Sequence, residues 1–166
     1  MRENIKKLPQ LYFKGCGDCS ERCEGKFFLA PLILEDFQKV EPYFEIKAIK
    51  LEGEIVPVML LTDGENPCKY LNKGKCKIYE NRPPACKIYP FSPFYDELFL
   101  DLSCQAISYK ETILKLPRTK NEFLNSQFFE ERVIDFKEKR EKTLKYMKKQ
   151  KLTFYKKIKG IELFNF

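Results

Sequence analysis

Apolar residues in the last third of the chain recur at the spacing of an α-helix. Between residues 123 and 150 they are separated by one helical turn or a multiple of it, with charged residues between them. The apolar positions are Phe129, Val133, Phe136, Leu144 and Met147. The pattern predicts one long amphipathic helix, with Asn125 and Ser126 as candidate caps near its start. We expect residues 153–166 to form a further short helix or an extended end.

The first two-thirds of the chain predicts shorter elements. Residues 32–44, LILEDFQKVEPYF, indicate a short strand or turn entering a helix that ends before Pro42. Residues 51–62, interrupted by Gly53 and Pro57, indicate an irregular hairpin. Residues 66–94 form a long loop rich in Pro, Gly and Cys, and a compact domain tolerates such a loop only when something besides backbone pairing fixes it. Metal ligation would fix it.

These elements predict an α+β fold. With 166 residues, 43% of them hydrophobic, the chain is long enough to bury one core. We expect residues 1–116 to form a small, irregular cysteine-cluster domain whose short strands and loops are held by metal. Residues 117–166, starting at Pro117, are expected to form a basic helical extension packed on that domain.

The chain contains no histidine, and this absence excludes several classes of site. Serine and cysteine hydrolase triads, His-carboxylate iron sites and His-containing zinc fingers all need an imidazole. Any metal must therefore be bound by sulfur or oxygen.

The compartment follows from the start of the chain and the cysteine count. The first residues carry positive charges but no apolar run of signal-peptide length, and no later stretch approaches a membrane span. We therefore expect a cytoplasmic protein. Seven cysteines, an odd number, in a reducing compartment favour thiolate ligation over disulfides.

The cysteines fall into two groups. Cys16, Cys19 and Cys23 share one short loop, where several sulfurs can face one point while backbone amides turn toward it. Cys68, Cys76, Cys86 and Cys104 are further apart and must converge through folding, which couples metal binding to the fold. All seven are candidate metal ligands. The competing interpretation is that some of them are ordinary buried thiols.

Residues 67–91, PCKYLNKGKCKIYENRPPACKIYPF, resemble the signature of the YkgJ-like cysteine-cluster family, a CxxCxxCC-type domain described as zinc- or iron-chelating. That signature has a Cys before an aromatic-Leu pair, a Cys-x-Ile-Tyr, an Arg-Pro, and a Cys followed by Tyr-Pro-Phe. The matching positions are Cys68 with Tyr70 and Leu71, Cys76 with Ile78 and Tyr79, Arg82 with Pro83, and Cys86 with Tyr89, Pro90 and Phe91. The opening CGDCSERC and the closing Cys104 to Ile107 are also similar, so the resemblance covers residues 16–107.

The chain departs from the family pattern at both ends. The first cluster of the family usually ends in two adjacent cysteines, whereas Arg22 precedes Cys23 here, so one thiol is absent. One four-cysteine site with three further thiols remains open. So does one complete site beside an incomplete one that Asp18, Glu21 or an exogenous ligand completes. The closing Pro-Gly is replaced by Gln105 and Ala106.

Two cofactors fit four thiolates, zinc and a [4Fe-4S] cluster. The family also resembles the cysteine-rich part of flagellin lysine methylases, for which an iron–sulfur cluster is implied. Cysteine-only ligands and many aromatic residues favour [4Fe-4S] over zinc.

Three further residues lie among the cysteines of the second group. Arg82 is expected to offset thiolate charge or to fix a surface turn. Tyr79 and Tyr89 are expected to pack in a core, or else to screen a cluster from water.

The basic charge is concentrated near the C-terminus. Residues 137–159 carry eleven Lys or Arg against Glu138 and Glu141, within a chain of net charge +7. We interpret this segment mainly as the solvated face of a helix, with nucleic acid or an anionic membrane surface as further options.

Three functions are consistent with the sequence. We favour a metal-binding protein with an accessory, redox or metal-handling role and no catalysis of its own unless a protein partner supplies it. The second is a component of a cluster-dependent, lysine methylase-like protein-modifying enzyme, although no Gly-rich cofactor fingerprint occurs and the residues after the cysteines are too few for a doubly wound fold. The third is a zinc-stabilised nucleic-acid binder that uses the basic tail.

Overall fold

The computed structural model of the chain describes residues 12–13, 28–89, 91–94, 97–100, 107–108 and 127–166, with side chains for residues 29–89, 93 and 131–166. Four of the predicted ligands, Cys16, Cys19, Cys23 and Cys104, lie outside the described residues. So does the predicted boundary at Pro117, and the division into two parts stays a prediction.

Strands and helices both occur, which confirms a mixed α+β content. In the described part of the chain, the helices are α1 (Phe37–Val40), which follows a 3-10 turn at Leu34–Asp36, α2 (Pro84–Ile88) and α3 (Gln127–Met147). The strands are β1 (Tyr12–Phe13), β2 (Phe28–Pro31), β3 (Glu45–Leu51), β4 (Glu54–Thr62), β5 (Leu71–Asn72), β6 (Lys75–Cys76), β7 (Phe91–Phe94), β8 (Glu97–Leu100), β9 (Ile107–Ser108), β10 (Thr153–Ile158) and β11 (Ile161–Asn165).

The predicted C-terminal helix is confirmed as α3, and α1 ends before Pro42 as expected. Among the described residues, no helix combines the length and the apolar character that a bilayer span requires.

The main sheet has five antiparallel strands in the order β10-β11-β3-β4-β2. Its two hairpins turn at residue pairs with positive φ, Glu52 with Gly53 and Lys159 with Gly160. This conformation matches the right-handed twist of the flanking strands, and glycine supplies it without steric cost. The first hairpin is more regular than predicted, because β4 continues through Pro57.

The C-terminal residues 153–166 are extended, and they belong to the main sheet. Phe164 of β11 pairs with Ala48 of β3, and the neighbouring Leu163 is fully buried with Val56 and Val58. The end of the chain is therefore part of the same core as the strands that precede the cysteines.

A buried ion pair fastens α3 to the turn before α1. The two terminal guanidinium nitrogens of Arg132, Nη1 and Nη2, donate to the two carboxylate oxygens of Asp36 at 2.6 Å. The Arg132 and Asp36 side chains are 6% and 2% exposed. Further along the helix, the buried hydroxyl of Thr143 accepts the backbone N–H of Leu34 at 3.2 Å. These contacts hold the first turn after β2 against the long helix.

Candidate metal centre

The cysteine segment, residues 67–89, begins with a small hairpin. Strands β5 and β6 are joined by Lys73 and Gly74, both at positive φ, so that Cys76 lies opposite Leu71. The carbonyl of Cys68 accepts the N–H of Leu71 at 2.8 Å, which turns the chain into β5. This local geometry explains how two cysteines eight positions apart are brought onto one compact turn.

The third described cysteine, Cys86, lies on α2. Pro84 occupies the first turn of that helix, where its missing N–H costs nothing and its fixed φ suits the helix. The N–H of Cys86 donates to the Pro83 carbonyl at 2.9 Å, and Ala85 and Ile88 are buried. Helix α2 is short, but it is anchored, and it holds Cys86 in a fixed position.

Two of the three thiols lie in apolar surroundings. Cys68 is 5% exposed and belongs to a buried cluster with Val40, Phe44 and Met59, against which Cys86 also packs. The ring of Tyr70 meets that of Phe44 edge-on, with the ring centroids 5.5 Å apart. Cys76 is half-buried. The cysteine segment therefore packs directly on the core formed by α1 and the main sheet.

The three sulfurs share one electrostatic environment. Burial raises the pKa of the Cys86 thiol to about 12, and the neighbouring Cys68 and Cys76 raise it as well, while the charge of Arg82 opposes them. In the absence of a cation, the Cys86 sulfur thus keeps its proton at neutral pH. A metal cation beside these sulfurs would replace that proton, because thiolates are the form that binds metal.

The described cysteines do not complete a site. Cys68, Cys76 and Cys86 carry thiols rather than disulfides. Within residues 29–89 and 131–166, no group of three or more Cys, Asp or Glu side chains is arranged to hold a metal ion. The donor chemistry of these three residues still fits zinc or an iron–sulfur cluster, since both are bound by cysteine thiolates.

Arg82 fixes a surface turn, one of the two roles expected for it. Its Nε donates to the Tyr79 carbonyl at 2.8 Å, and its guanidinium stacks over the Tyr79 ring, 3.7 Å from the centroid. Its charge also acts on Cys86, as described above. The prediction that Tyr79 packs in a core is wrong, because its side chain is 57% exposed. Tyr89 is half-buried.

The loop that leads into the cysteine segment is organised by an aspartate that the sequence analysis did not single out. Asp63 Oδ1 accepts the N–H groups of Glu65 and Asn66, both at 3.0 Å, and Asp63 Oδ2 lies 3.7 Å from the Lys156 ammonium. The sequence signal was the Asp-Gly pair at Asp63, because aspartate side chains commonly bond the backbone two residues on.

We expect Asp63→Asn to reduce stability at neutral pH and to remove part of its acid dependence. The hydrogen bonds from Asn66 and Glu65 lower the pKa of Asp63 to about 2. A depressed carboxyl pKa gives stability that is present above the unfolded value near 4 and is lost as the pH falls toward 2. Urea unfolding at pH 7, 4 and 2 should show the variant about 1 kcal/mol less stable at pH 7, with most of that difference lost at pH 2, where the folded-state carboxyl is about half protonated.

Glu65→Gln is the matched control for this prediction. It removes a carboxylate from the same loop but leaves the bonds to Asp63 Oδ1 in place, because Glu65 contributes its backbone N–H. If both variants show the same pH dependence, the loop is not held by the Asp63 charge.

Comparison with known proteins gives one family match. A sequence model of the CxxCxxCC type, described as a "putative zinc- or iron-chelating domain", matches residues 14–157. This span contains all seven cysteines, and it also contains α3 and nearly all of β10. The match thus continues well past residue 107, the end of the motif resemblance in residues 16–107. No curated protein and no solved structure matches the chain significantly.

Proposed function

The chain belongs to the CxxCxxCC family of zinc- or iron-chelating domains, and from this premise we propose that it holds a [4Fe-4S] cluster, or else zinc, through its cysteine thiolates. The proposed ligands are drawn from Cys16, Cys19, Cys23, Cys68, Cys76, Cys86 and Cys104. The observation that carries the proposal is the family match over 144 of 166 residues, since residues 14–157 include the whole cysteine set.

The environment of the described cysteines supports a cluster more than zinc. Cys68 and Cys86 pack among apolar and aromatic side chains, and Tyr70 and Phe44 form an aromatic contact in the same cluster. Such surroundings keep water from the sulfurs, and solvent exposure is one of the factors that set the potential of an iron–sulfur cluster. Zinc would use the same thiolates for structural support alone.

We propose an accessory role in electron transfer or metal handling. A bound iron–sulfur cluster would supply one-electron chemistry, and bound zinc would supply rigidity. The chain itself would contribute the thiolates, the apolar cover and the positive charge of Arg82 beside Cys86. A protein partner would provide any catalytic groups, because the chain carries no Gly-rich fingerprint for an organic cofactor.

Metal analysis of anaerobically purified protein tests this proposal. We expect brown protein with about four iron and four acid-labile sulfide per chain, and broad absorption that bleaches on reduction. Colourless protein with bound zinc would support thiolate ligation but would show that the bound metal is zinc and not an iron–sulfur cluster. Metal-free protein that unfolds cooperatively would contradict thiolate ligation, because a chain whose ligands converge by folding should lose stability without metal.

A further inference from the structure

The large apolar side chains that the described structure leaves exposed are concentrated at the C-terminal hairpin and its surroundings. They are Leu51, Tyr146, Phe154, Tyr155, Ile161 and Phe166, with Tyr79 in the cysteine segment as the remaining case. The most exposed is Phe154, at 61%. Such a concentration of exposed rings indicates a binding surface, since exposed apolar residues on a monomer are usually scattered.

The exposed rings separate onto two faces of the sheet. Phe154 pairs across the strands with Phe164, and Phe166 lies two residues further along, so alternation places these three on one face. The ring of Phe166 is 5.9 Å from that of Phe37, which also contacts Tyr146 at 6.4 Å. Tyr155 lies at a bulge and stacks with the ammonium of Lys47, on the opposite face.

Two lysines, Lys50 and Lys157, lie on the first face. The ammonium of Lys50 lies over the Phe164 ring, 4.7 Å from its centroid. Lys157 is on β10, opposite Glu162. Residues 142–161 contain eight lysines and no acidic residue. We define the aromatic–lysine surface as Tyr146, Phe154, Phe166, Lys50 and Lys157.

Pairing with a strand of another protein does not suit this edge of the sheet. Strand β10 is an edge strand, but a bulge interrupts it at Tyr155 and lysines follow at Lys156 and Lys157. Bulges and lysines are the features by which edge strands avoid pairing with other chains. The exposed rings therefore need a partner that binds side chains rather than backbone.

We propose that the aromatic–lysine surface binds single-stranded nucleic acid. An unpaired base stacks on an exposed ring, and each base carries a phosphate that a neighbouring lysine can neutralise. On this face the Lys50 ammonium lies over the buried ring of Phe164, which pairs across the strands with the exposed Phe154, so a positive charge and an exposed ring are held on the same side of the sheet.

Fluorescence anisotropy with labelled 12-nucleotide DNA and RNA tests the proposal on the full-length, metal-loaded chain. We expect binding that weakens as salt rises, and a preference for single strands over a duplex of the same sequence. Phe154→Ala should weaken binding about tenfold without changing the salt dependence, because it removes a stacking ring and no charge. Phe154→Trp should retain binding.

The control variants keep the test specific. Tyr155→Ala removes a ring from the same strand but from the other face, and should change affinity less than about twofold. Lys157→Gln should lower the slope of log affinity against log salt by about 0.7, whereas Lys139→Gln, whose ammonium pairs with Asp135 at 2.9 Å, should leave the slope unchanged. Thermal unfolding checks that each variant is folded.

Three results would overturn the proposal. One is no binding of either oligonucleotide at low salt. Another is equal affinity of wild type and Phe154→Ala, which would leave only unspecific charge attraction. The third is Phe154-dependent binding to vesicles of anionic phospholipid without binding to oligonucleotides, which would assign the surface to a membrane.

Discussion

Cys86→Ser is expected to remove most of the bound metal and to lower the stability of the whole fold. Cys86 is half-buried against the apolar cluster that contains Cys68, and α2 fixes its backbone through the Pro83 carbonyl. Structural thiolate sites supply about 10 kcal/mol or more of folding free energy, so the loss of one ligand should cost several kcal/mol. Metal content per chain and urea unfolding, measured on the same anaerobic preparation, give both quantities.

Ala85→Ser is the matched control for that variant. It places a hydroxyl at the adjacent buried position of α2, where the polar group costs about 1–3 kcal/mol, but it leaves every thiol in place. It should therefore lose stability while keeping its metal. If Cys86→Ser also keeps its full metal content, Cys86 is an ordinary buried thiol, which is the competing interpretation of the cysteine pattern.

Measuring metal content and stability for Cys68→Ser and Cys76→Ser in the same way separates cysteines that bind metal from cysteines that do not. Cys68 is as deeply buried as the apolar residues around it, so a loss of stability in Cys68→Ser cannot by itself distinguish lost packing from lost metal ligation. Cys76 is half-buried, and its packing contribution is smaller. A loss of metal in Cys76→Ser would thus be the clearest sign that the hairpin of β5 and β6 supplies a ligand.

The long helix was predictable because its signal is local. Val133, Phe136 and Met147 recur at helical spacing, and all three are buried in the structure. The end of α1 was predictable for a similar reason, since Pro42 has no N–H to donate to the carbonyl four residues earlier, although Glu41 itself still has helical backbone. In both cases, the residues that decide the structure are neighbours in the sequence.

The C-terminal hairpin was not predictable as part of the main sheet. The sequence of strand β10, TFYKKI, does not alternate clearly between apolar and polar residues, and the strand is mostly exposed. The pattern therefore did not distinguish a short helix from an extended end. Strand β11 is held by a long-range pairing, in which Phe164 meets Ala48. Nothing local to residues 161–165 specifies that partner, and burial of Leu163 decides the outcome.

The candidate site was predictable in its chemistry and not in its geometry. Cysteine count, the absence of histidine and the signature of residues 67–91 all indicated thiolate ligands, and the family match supports zinc or iron chelation. The position of Cys68 and Cys86 against the core formed by α1 and β4 depended on tertiary packing. Asp63 organises the loop before the cysteine segment by accepting the N–H groups of Glu65 and Asn66, and these hydrogen bonds are seen only in the folded loop.

The buried ion pair between Asp36 and Arg132 was the feature least accessible from sequence. The two residues are 96 positions apart, and neither stands out among the charged residues near it. A buried carboxylate needs a partner that satisfies both oxygens, and a guanidinium does so with two parallel hydrogen bonds. The pair therefore fixes how α3 crosses the turn that follows β2. Its net contribution to the free energy of folding is small, but removing only one partner is costly because the other charge stays buried.

Breaking this pair by Arg132→Met should destabilise the fold by about 3–5 kcal/mol, because Asp36 would keep a buried charge without its counterion. The double variant Asp36→Asn with Arg132→Met should recover at least about 1 kcal/mol of that loss, because it no longer buries an unpaired charge. In the wild-type structure, the N–H of Ile33 donates to Asp36 Oδ2 at 3.0 Å, and the amide oxygen at position 36 can accept the same hydrogen bond.

Lys139→Gln, which breaks an exposed pair on the same helix, should cost less than about 0.5 kcal/mol, and urea unfolding at pH 7 measures all three variants. If Arg132→Met costs no more than Lys139→Gln, the turn before α1 rearranges to give Asp36 access to water, and the ion pair does not hold α3 in place. The expected ranking follows from burial alone: both pairs join a carboxylate to a cation on α3, but only the Asp36 carboxylate has no solvent to replace its partner.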